Sequence, residues 1–242
     1  MSTEAPVTLA IPVFNEGDNI LPVLSAIHRT VYPPLTILIV YDFEEDTTLA
    51  ALKQLPAGSS LKVRAMRNAY GRGVLNAIKT GLEAADTELI IVTMADLSDP
   101  PEVMNEMVRV ARETGAAIVC ASRYMRGGQQ IGGPKLKGFL SRTAGMILYW
   151  VARLPTHDPT NSFKLYRKSF LSTTTIESPG GFELGIELVV KAWKSGHLIA
   201  EVPTTWRDRV AGKSNFKLWK WLPHYLRWFF YAFRRNKKHP PC

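Results

Sequence analysis

Residues 89–101 read LIIVTMADLSDPP, and this stretch decides the fold that the sequence predicts. Residues 89–93 are apolar and mostly β-branched, which indicates a strand buried on both faces. Asp96 and Asp99 follow at the point where this strand would end. Because ligands bind beyond the carboxyl ends of strands in parallel sheets, the stretch predicts a polar site at the edge of such a sheet.

Apolar runs of the same kind lie on both sides of this stretch, separated by segments with helical spacing. The predicted strands are residues 7–13, 35–40, 61–65, 89–93 and 116–121, and helices are predicted from a cap at Asp18 or Asn19, over 47–55, up to Ala85, over about 140–154 and over about 182–195. This order predicts an α/β fold with a mostly parallel sheet and helices on both faces. The Gly-rich residues 127–138 predict a flexible loop.

The composition is that of an ordinary folded protein. Of the 242 residues, 46% are hydrophobic and 21% charged, which argues against a disordered or fibrous protein. We predict one α/β domain over residues 1–205 and a basic, aromatic segment over residues 206–242. Two cysteines do not suggest a disulfide framework, and the N-terminus lacks the pattern of a signal peptide, so we expect the site to face the cytosol.

Residues 206–242 alternate aromatic and basic side chains in a chain whose net charge is +9. The run is too interrupted for a transmembrane helix, which needs about 20 apolar residues, but it suits amphipathic helices at a membrane surface. The alternative is a helix that docks on the domain's own core or on a partner subunit. Nucleic-acid binding is not expected, because the segment matches none of the recognised modules. We therefore predict a peripheral protein at the cytoplasmic face of a membrane, with an anchoring subunit or a homo-oligomer left open.

Several short motifs occur in the order known from one enzyme family. They are PVFNE at residues 12–16, VYD at 40–42, DTT at 46–48, RN at 67–68, ADLSDPP at 95–101, SRY at 122–124, SR at 141–142 and DPTNSFKLYR at 158–167. Each motif alone has little weight, but together they resemble family 2 glycosyltransferases over about residues 7–214. Within that family the sequence is similar to dolichyl-phosphate mannose synthases and bacterial polyprenyl-phosphate glycosyltransferases.

The resemblance implies the GT-A (Rossmann-like) form of the α/β fold and a set of site residues. These are Pro12, Phe14, Glu16, Asp42, Ala95, Asp96 and Ser98 for the donor, and Arg123, Ser141, Arg142, Arg209 and Lys213 for the acceptor phosphate. It further implies that Asp96, Arg123 and Arg209 are catalytic. Asp96 would hold Mg²⁺ or Mn²⁺, since hard divalent ions bind carboxylate and phosphate oxygens. Arginine suits phosphate because its planar fork binds two oxygens at once.

The sequence departs from the family pattern at four positions. Met94 stands where the family has the first Asp of its metal motif, and Tyr41 stands where it has the first Asp of a pair. Phe14 replaces a Tyr, and Asn215 replaces a basic residue. These departures bear on metal affinity and on the preferred nucleotide base, and Asp99 is a candidate to supply the missing carboxylate through water.

The acceptor can be argued from the chemistry of the attacking oxygen. A sugar hydroxyl needs a general base, whereas a phosphate monoester already carries a nucleophilic oxygen near neutral pH. The sequence offers many Arg and Lys side chains and no late acidic pair that resembles a base. We therefore predict inverting transfer of a sugar from a nucleotide sugar, GDP-mannose or a UDP-hexose, to a polyprenyl or dolichyl phosphate. The alternatives are transfer to a saccharide or lipid hydroxyl, and a catalytically weak nucleotide-sugar-binding scaffold.

Overall fold

A computed structural model describes residues 5–56, 61–208 and 218–234. The strands are β1 (Val7–Pro12), β2 (Leu35–Tyr41), β3 (Lys62–Arg67), β4 (Leu89–Val92), β5 (Ile118–Ser122), β6 (Gln129–Ile131), β7 (Lys164–Arg167), β8 (Ile199–Pro203) and β9 (Thr205–Arg207). The helices are α1 (Gly17–Thr30), α2 (Thr47–Leu52), α3 (Val74–Ala84), α4 (Val103–Thr114), α5 (Lys135–Trp150), α6 (Lys168–Leu171), α7 (Leu184–Lys194) and α8 (Leu218–Phe233).

The predicted α/β architecture is confirmed. Seven strands form one sheet in the order β3-β2-β1-β4-β7-β5-β8, and β1 pairs in parallel with both β2 and β4. Helices α1, α2 and α4 cover one face, and α3, α5, α7 and α8 cover the other. Because the central strands are buried on both faces, their sequences lack the polar alternation of a half-exposed sheet.

The sequence prediction missed β6, β7, β8 and β9. Strand β7 lies between β4 and β5 and runs antiparallel to both. Its sequence, KLYR, has a basic residue at each end, so the hydrophobic pattern did not indicate a buried strand. Strand β8 extends the sheet parallel to β5, and the short strands β6 and β9 pair with each other outside the sheet.

Two local predictions were wrong. Residues 127–138 are not simply a flexible loop, because they contain β6 and the first turn of α5. Helix α1 begins at Gly17 with Glu16 at its N-cap position, so neither Asp18 nor Asn19 caps it. Asp18 instead lies in the first turn, where a negative charge is stabilised by the helix dipole.

Helix α8 packs on the α/β domain through one face. Trp228 and Ala232 are buried in the core shared with α7, and the Trp228 indole donates a hydrogen bond of 3.0 Å to the Ser178 hydroxyl. Strand β9, which crosses the predicted boundary at residue 205, pairs with β6. The inner face of α8 is therefore docked on the domain, while contact of residues 206–242 with a membrane stays a prediction. In the described parts of the chain, every helix falls short of the length and apolar character that crossing a bilayer requires.

Gly145→Ala should destabilise the fold because α5 approaches its neighbouring loop closely at this residue. An added Cβ would overlap the carbonyl oxygen of His157, which is backbone and cannot swing aside. We expect a loss of about 1–3 kcal/mol in the free energy of unfolding, measured by urea denaturation.

Gly138→Ala is the matched control on the same helix. Its Cβ would meet only the end of the flexible Gln130 side chain, and Ala favours helix by roughly 1 kcal/mol over Gly. A Gly138→Ala variant as destabilised as Gly145→Ala would contradict this account of the α5 contact.

Candidate active site

The loops after β1 and β2 are tied together at one rim of the sheet. Pro12 and Val40 are register partners at the ends of these parallel strands. The Asn15 amide donates to the Asp46 carboxylate at 3.0 Å, and the Glu16 amide donates to the Thr48 hydroxyl at 3.0 Å. Side chains of the loop after β2 thus accept hydrogen bonds from the backbone amides of the loop after β1, and these bonds hold Glu16 at the rim.

Asp42 follows β2 at the same rim, and its carboxylate is fixed by two donors. The Asn68 side-chain amide donates to one oxygen at 2.8 Å, and the Gly73 backbone amide donates to the other at 2.9 Å. Gly73 has a φ of 129°, a conformation that residues with a side chain rarely adopt. Glycine therefore allows the backbone amide at this position to reach the Asp42 carboxylate. Each Asp42 oxygen keeps a lone pair that a ligand could use.

An aromatic platform lies beside Asp42. The Phe14 ring is half exposed and meets the Phe43 ring edge to face, with centroids 5.6 Å apart. The Arg72 guanidinium lies 5.0 Å from the centre of the Phe43 ring. Phe43 and Arg72 were not among the predicted site residues, although an aromatic residue inside an acidic loop and an Arg between two glycines could have indicated them.

The loop after β4 holds Ala95, Asp96 and Ser98 in a tight turn. The Ser98 amide donates to the Asp96 carboxylate at 3.0 Å, and the Ser98 carbonyl accepts from the Arg207 amide at 2.8 Å. Ala95 and Ser98 are buried, and Asp96 is partly exposed. Because β4 lies next to β1, this loop is at the same rim as the loops after β1 and β2.

Asp99 is buried behind the Asp96 turn. The Asn161 side-chain amide donates to its carboxylate at 3.3 Å. Burial raises the pKa of Asp99 to about 7, and the Arg123 charge and the Asn161 hydrogen bond only partly oppose this rise. Because Asp99 is buried and hydrogen-bonded to Asn161, its carboxyl group is less accessible to a bound ion than that of the partly exposed Asp96.

Within residues 5–56, 61–208 and 218–234, no three His, Cys, Asp or Glu side chains are grouped to hold a metal ion. Asp96 is the partly exposed carboxylate of the β4 loop, and Met94 beside it offers no oxygen. A divalent ion that arrives with a diphosphate needs only one or two protein carboxylates, so the Asp96 loop fits such an ion.

A buried polar cluster follows β5. The Arg123 guanidinium binds Asp158 through two hydrogen bonds of 2.6 and 2.9 Å, and the Arg123 amide donates to the same carboxylate. The Ser141 hydroxyl lies 3.2 Å from Arg123 and 2.6 Å from the Thr160 hydroxyl. The Tyr124 hydroxyl also donates to Ser141. The cluster joins the end of β5, helix α5 and residues 158–161.

Burial acts to raise the pKa of Asp158, but the Arg123 charge and its hydrogen bonds outweigh it and hold that pKa below its usual range. The sequence placed Asp158 in the DPTNSFKLYR motif, but its pairing with Arg123 was not predicted. The signal was weak, because 35 residues separate the partners. Arg123 is therefore committed to a buried ion pair, a role that differs from a free phosphate clamp.

The predicted acceptor residues fall into three groups. Arg123 and Ser141 are brought together in the buried cluster, and Arg142 is exposed on α5. Arg209 and Lys213 lie outside the described residues. The predicted donor residues all lie on β1, or on the loops after β1, β2 and β4, at one rim of the sheet.

Glu183 and Glu187 are spaced one helical turn apart, a pattern typical of a solvated helix face, but they do not form one. Both side chains are fully buried. Glu183 accepts from the amides of Gly180 and Gly181, and Glu187 accepts from the amides of Glu177 and Ser178. These carboxylates anchor the loop before α7 to that helix.

The fold is that of an α/β protein with a polar rim beyond the carboxyl ends of its parallel strands, the position at which such folds bind their ligands. The chain belongs to glycosyl transferase family 2, whose sequence profile matches residues 8–174. This confirms the family that the motifs indicated.

Two curated relatives match most of the chain. A dolichol-phosphate mannosyltransferase from Pyrococcus furiosus is 28% identical over 229 residues, 91% of this chain and 63% of that protein. A polyprenol monophosphomannose synthase from Mycolicibacterium smegmatis is 27% identical over 210 residues, 85% of this chain and 78% of that protein. The chain thus spans less than two thirds of the archaeal relative's length.

Solved structures of glycosyltransferases share the fold. Glucosyl-3-phosphoglycerate synthase from Mycobacterium tuberculosis, in complex with Mn²⁺, UDP-glucose and phosphoglyceric acid, has a TM-score of 0.70 at 14% identity, over 94% of this chain and 79% of that one. A mannosyltransferase from Pyrobaculum calidifontis, in complex with GDP-mannose and Mn²⁺, has a TM-score of 0.67 at 18% identity, over 99% of this chain and 67% of that one.

Asp158→Asn should unfold the protein more easily because it leaves the Arg123 charge buried without its counter-ion. Breaking a buried pair from one side costs about 3–5 kcal/mol, which urea denaturation would detect. Glu106→Gln is the control, since Glu106 pairs with Arg109 on the exposed face of α4, where a pair contributes about 0–1 kcal/mol. Equal losses in the two variants would contradict a structural role for the Arg123–Asp158 pair.

Asp99→Asn should change how stability depends on pH. The folded state keeps the Asp99 proton up to about pH 7, whereas the unfolded chain loses it near 3.8. The contribution of Asp99 to stability is therefore greatest below the unfolded pKa and declines as pH rises through this window. Asn cannot ionise, so the variant should lose less stability than the parent between about pH 4 and about pH 8, by on the order of 2–4 kcal/mol.

Urea denaturation across that pH range measures the effect of Asp99→Asn. The control is Glu102→Gln, three residues along the same segment, where the side chain is exposed. We expect the parent and Glu102→Gln to show the same dependence of the free energy of unfolding on pH. If the curve of Asp99→Asn ran parallel to theirs, Asp99 would not be the group that titrates between about pH 4 and about pH 8.

Proposed function

We propose that this protein is an inverting glycosyltransferase that moves a sugar from a nucleotide sugar to a polyprenyl phosphate. The observation that carries the proposal is that two polar sites lie next to each other at one end of the sheet. Asp42 and Asp96 line the rim that follows β2 and β4, and the Arg123 cluster follows β5 in the same sheet. The names of the two relatives, a dolichol-phosphate mannosyltransferase and a polyprenol monophosphomannose synthase, support this acceptor.

The donor nucleoside binds beside Pro12, Phe14, Glu16 and Asp42 in this proposal. The rings of Phe14 and Phe43 and the Arg72 guanidinium offer flat surfaces on which a base can stack. The fixed Asp42 carboxylate accepts hydrogen bonds from the nucleoside. GDP-mannose and UDP-hexoses both fit this chemistry, and a donor panel distinguishes them.

The donor diphosphate lies against Ala95, Asp96 and Ser98. Asp96 would hold Mg²⁺ or Mn²⁺ there, and the Mn²⁺ in the related solved structures supports a divalent ion. When bound, such an ion neutralises negative charge on the departing nucleoside diphosphate. The Ser98–Asp96 hydrogen bond keeps the carboxylate oriented towards this position.

The acceptor phosphate approaches from the side of Arg123, Ser141 and Arg142, with Arg209 and Lys213 as further cations. Its oxygen attacks the anomeric carbon of the sugar while the bond from that carbon to the diphosphate oxygen breaks. Direct in-line displacement inverts the configuration, and the phosphate oxygen needs no general base. Arg123 orients Ser141, and the exposed Arg142 supplies positive charge. In this proposal the protein meets its lipid acceptor at the cytoplasmic face of a membrane and uses residues 206–242 to bind that membrane surface.

Labelled nucleotide sugars, incubated with a short-chain polyprenyl phosphate with and without Mn²⁺, test this function. We expect an organic-soluble sugar product, and Asp96→Asn should lower kcat/KM on the order of 100-fold because it removes the charge that holds the ion. Asp86→Asn is the control, since Asp86 is exposed and precedes β4 at the opposite rim.

Other outcomes would contradict the proposal. A labelled saccharide or glycolipid product would indicate a hydroxyl acceptor. Donor binding without turnover, unaffected by Asp96→Asn, would indicate a nucleotide-sugar-binding scaffold. Failure to bind any nucleotide sugar would remove the transferase function itself.

A further inference from the structure

Helix α5 presents an apolar face to the outside of the protein. Leu136, Phe139, Ile147 and Trp150 are exposed along one side, with Phe139 at 67% and Trp150 at 69%. The opposite side carries the buried Gly145 and Leu148, which pack on the domain. A surface helix of a soluble domain normally turns its polar face outward, so α5 has the reverse arrangement.

Helix α8 repeats this arrangement. Leu226, Phe230 and Phe233 are exposed at a spacing of four and then three residues, which defines one helical face. Trp228 and Ala232, on the other face, are buried against the domain. The two helices contact each other, so their outward faces adjoin. Most soluble proteins expose apolar side chains singly, whereas these two helices expose several apolar side chains next to one another.

The two helices that form this surface carry basic side chains and no acidic ones. Neither helix sequence, KLKGFLSRTAGMILYW for α5 or LWKWLPHYLRWFFYAF for α8, contains an acidic residue. Lys135 and Arg142 on α5 are exposed, as are Arg227 on α8 and Arg234 just after it. Arg227 also reaches the exposed Glu177 at 2.7 Å. Aromatic and aliphatic side chains flanked by Lys and Arg complement a bilayer with anionic head groups.

The acceptor residues lie on the same helix as this surface. Ser141 and Arg142 follow Phe139 within one turn of α5, and Ser141 contacts Arg123 in the buried cluster. A membrane that covers the outward face of α5 would therefore lie beside the predicted acceptor site. Long basic side chains such as Arg142 can extend to lipid phosphates at that depth.

We propose that α5 and α8 together form one docking surface for an anionic lipid bilayer, with α5 holding the acceptor site at the level of the lipid phosphates. The proposal rests on the proposed function for its choice of lipid substrate. It extends membrane contact from residues 206–242 to a helix inside the α/β domain.

Vesicle binding by the full chain tests the surface. Co-sedimentation with vesicles of phosphatidylcholine plus phosphatidylglycerol should fall at least about tenfold in the variant Leu136→Ser/Phe139→Ser/Trp150→Ser, and binding should weaken as salt rises. The control is Tyr32→Ser/Leu198→Ser, which removes two exposed apolar side chains from other parts of the surface and should bind like the parent. Single variants Phe139→Ser and Trp150→Ser serve if the triple variant does not fold, and circular dichroism checks each protein.

Two acceptors separate docking from chemistry. Transfer to a long-chain polyprenyl phosphate embedded in vesicles should fall with vesicle binding in the α5 variant, while transfer to a short, water-soluble prenyl phosphate should be unchanged. Vesicle binding equal to that of the parent would overturn the proposal. The proposal would also be overturned if the parent self-associated without vesicles and the α5 variant did not. A second copy of the chain would then cover this face. Absence of transfer to either acceptor by the parent would refute the proposed function and leave the vesicle result to decide the docking surface.

Discussion

The buried ion pair between Arg123 and Asp158 is the constraint on which the proposed acceptor side of the structure depends. A guanidinium with little exposure cannot remain without a counter-ion, because the penalty for an unpaired buried charge exceeds most other single contributions to stability. Satisfying it draws residues 158–161 to the end of β5. Ser141 and Thr160 then complete the hydrogen bonds around the pair, which fixes the start of α5 relative to the sheet.

The donor side is organised differently. There, backbone amides satisfy carboxylates, as at Asp46 and Asp42, or a side chain accepts from its own turn, as at Asp96. These bonds follow from short loops at the ends of parallel strands and need no buried cation. The donor rim therefore keeps partly exposed carboxylate oxygens, whereas the acceptor cluster is closed around its own charges. This difference is consistent with the proposed binding of a cation and phosphates at the rim, whereas the buried cluster holds α5 in position.

The two sides also differ in how well the sequence predicted them. The loops after parallel strands were predicted, whereas the buried pairing was not. Strands β1, β2 and β4 are apolar and carry their polar residues directly after them, so the chain order alone predicts that these residues lie at one rim, as they do. Strand β7 could not, since Lys164 is basic yet fully buried, and its ammonium donates to the Asn161 carbonyl. The partnership of Arg123 with Asp158 likewise depends on a strand that inserts antiparallel between β4 and β5. Tertiary contacts of this kind leave no periodic signal.

Helix α5 connects the acceptor cluster to the outer surface of the protein. Gly145 lets its inner side approach the His157 carbonyl closely, and the same close approach brings Ser141 within reach of Arg123. A helix held this tightly cannot rotate to bury Phe139 and Trp150 without breaking the contacts of its inner face. The contacts of α5 with the Arg123 cluster therefore keep these apolar side chains on the outer surface. A partner that covers them must come from outside the domain.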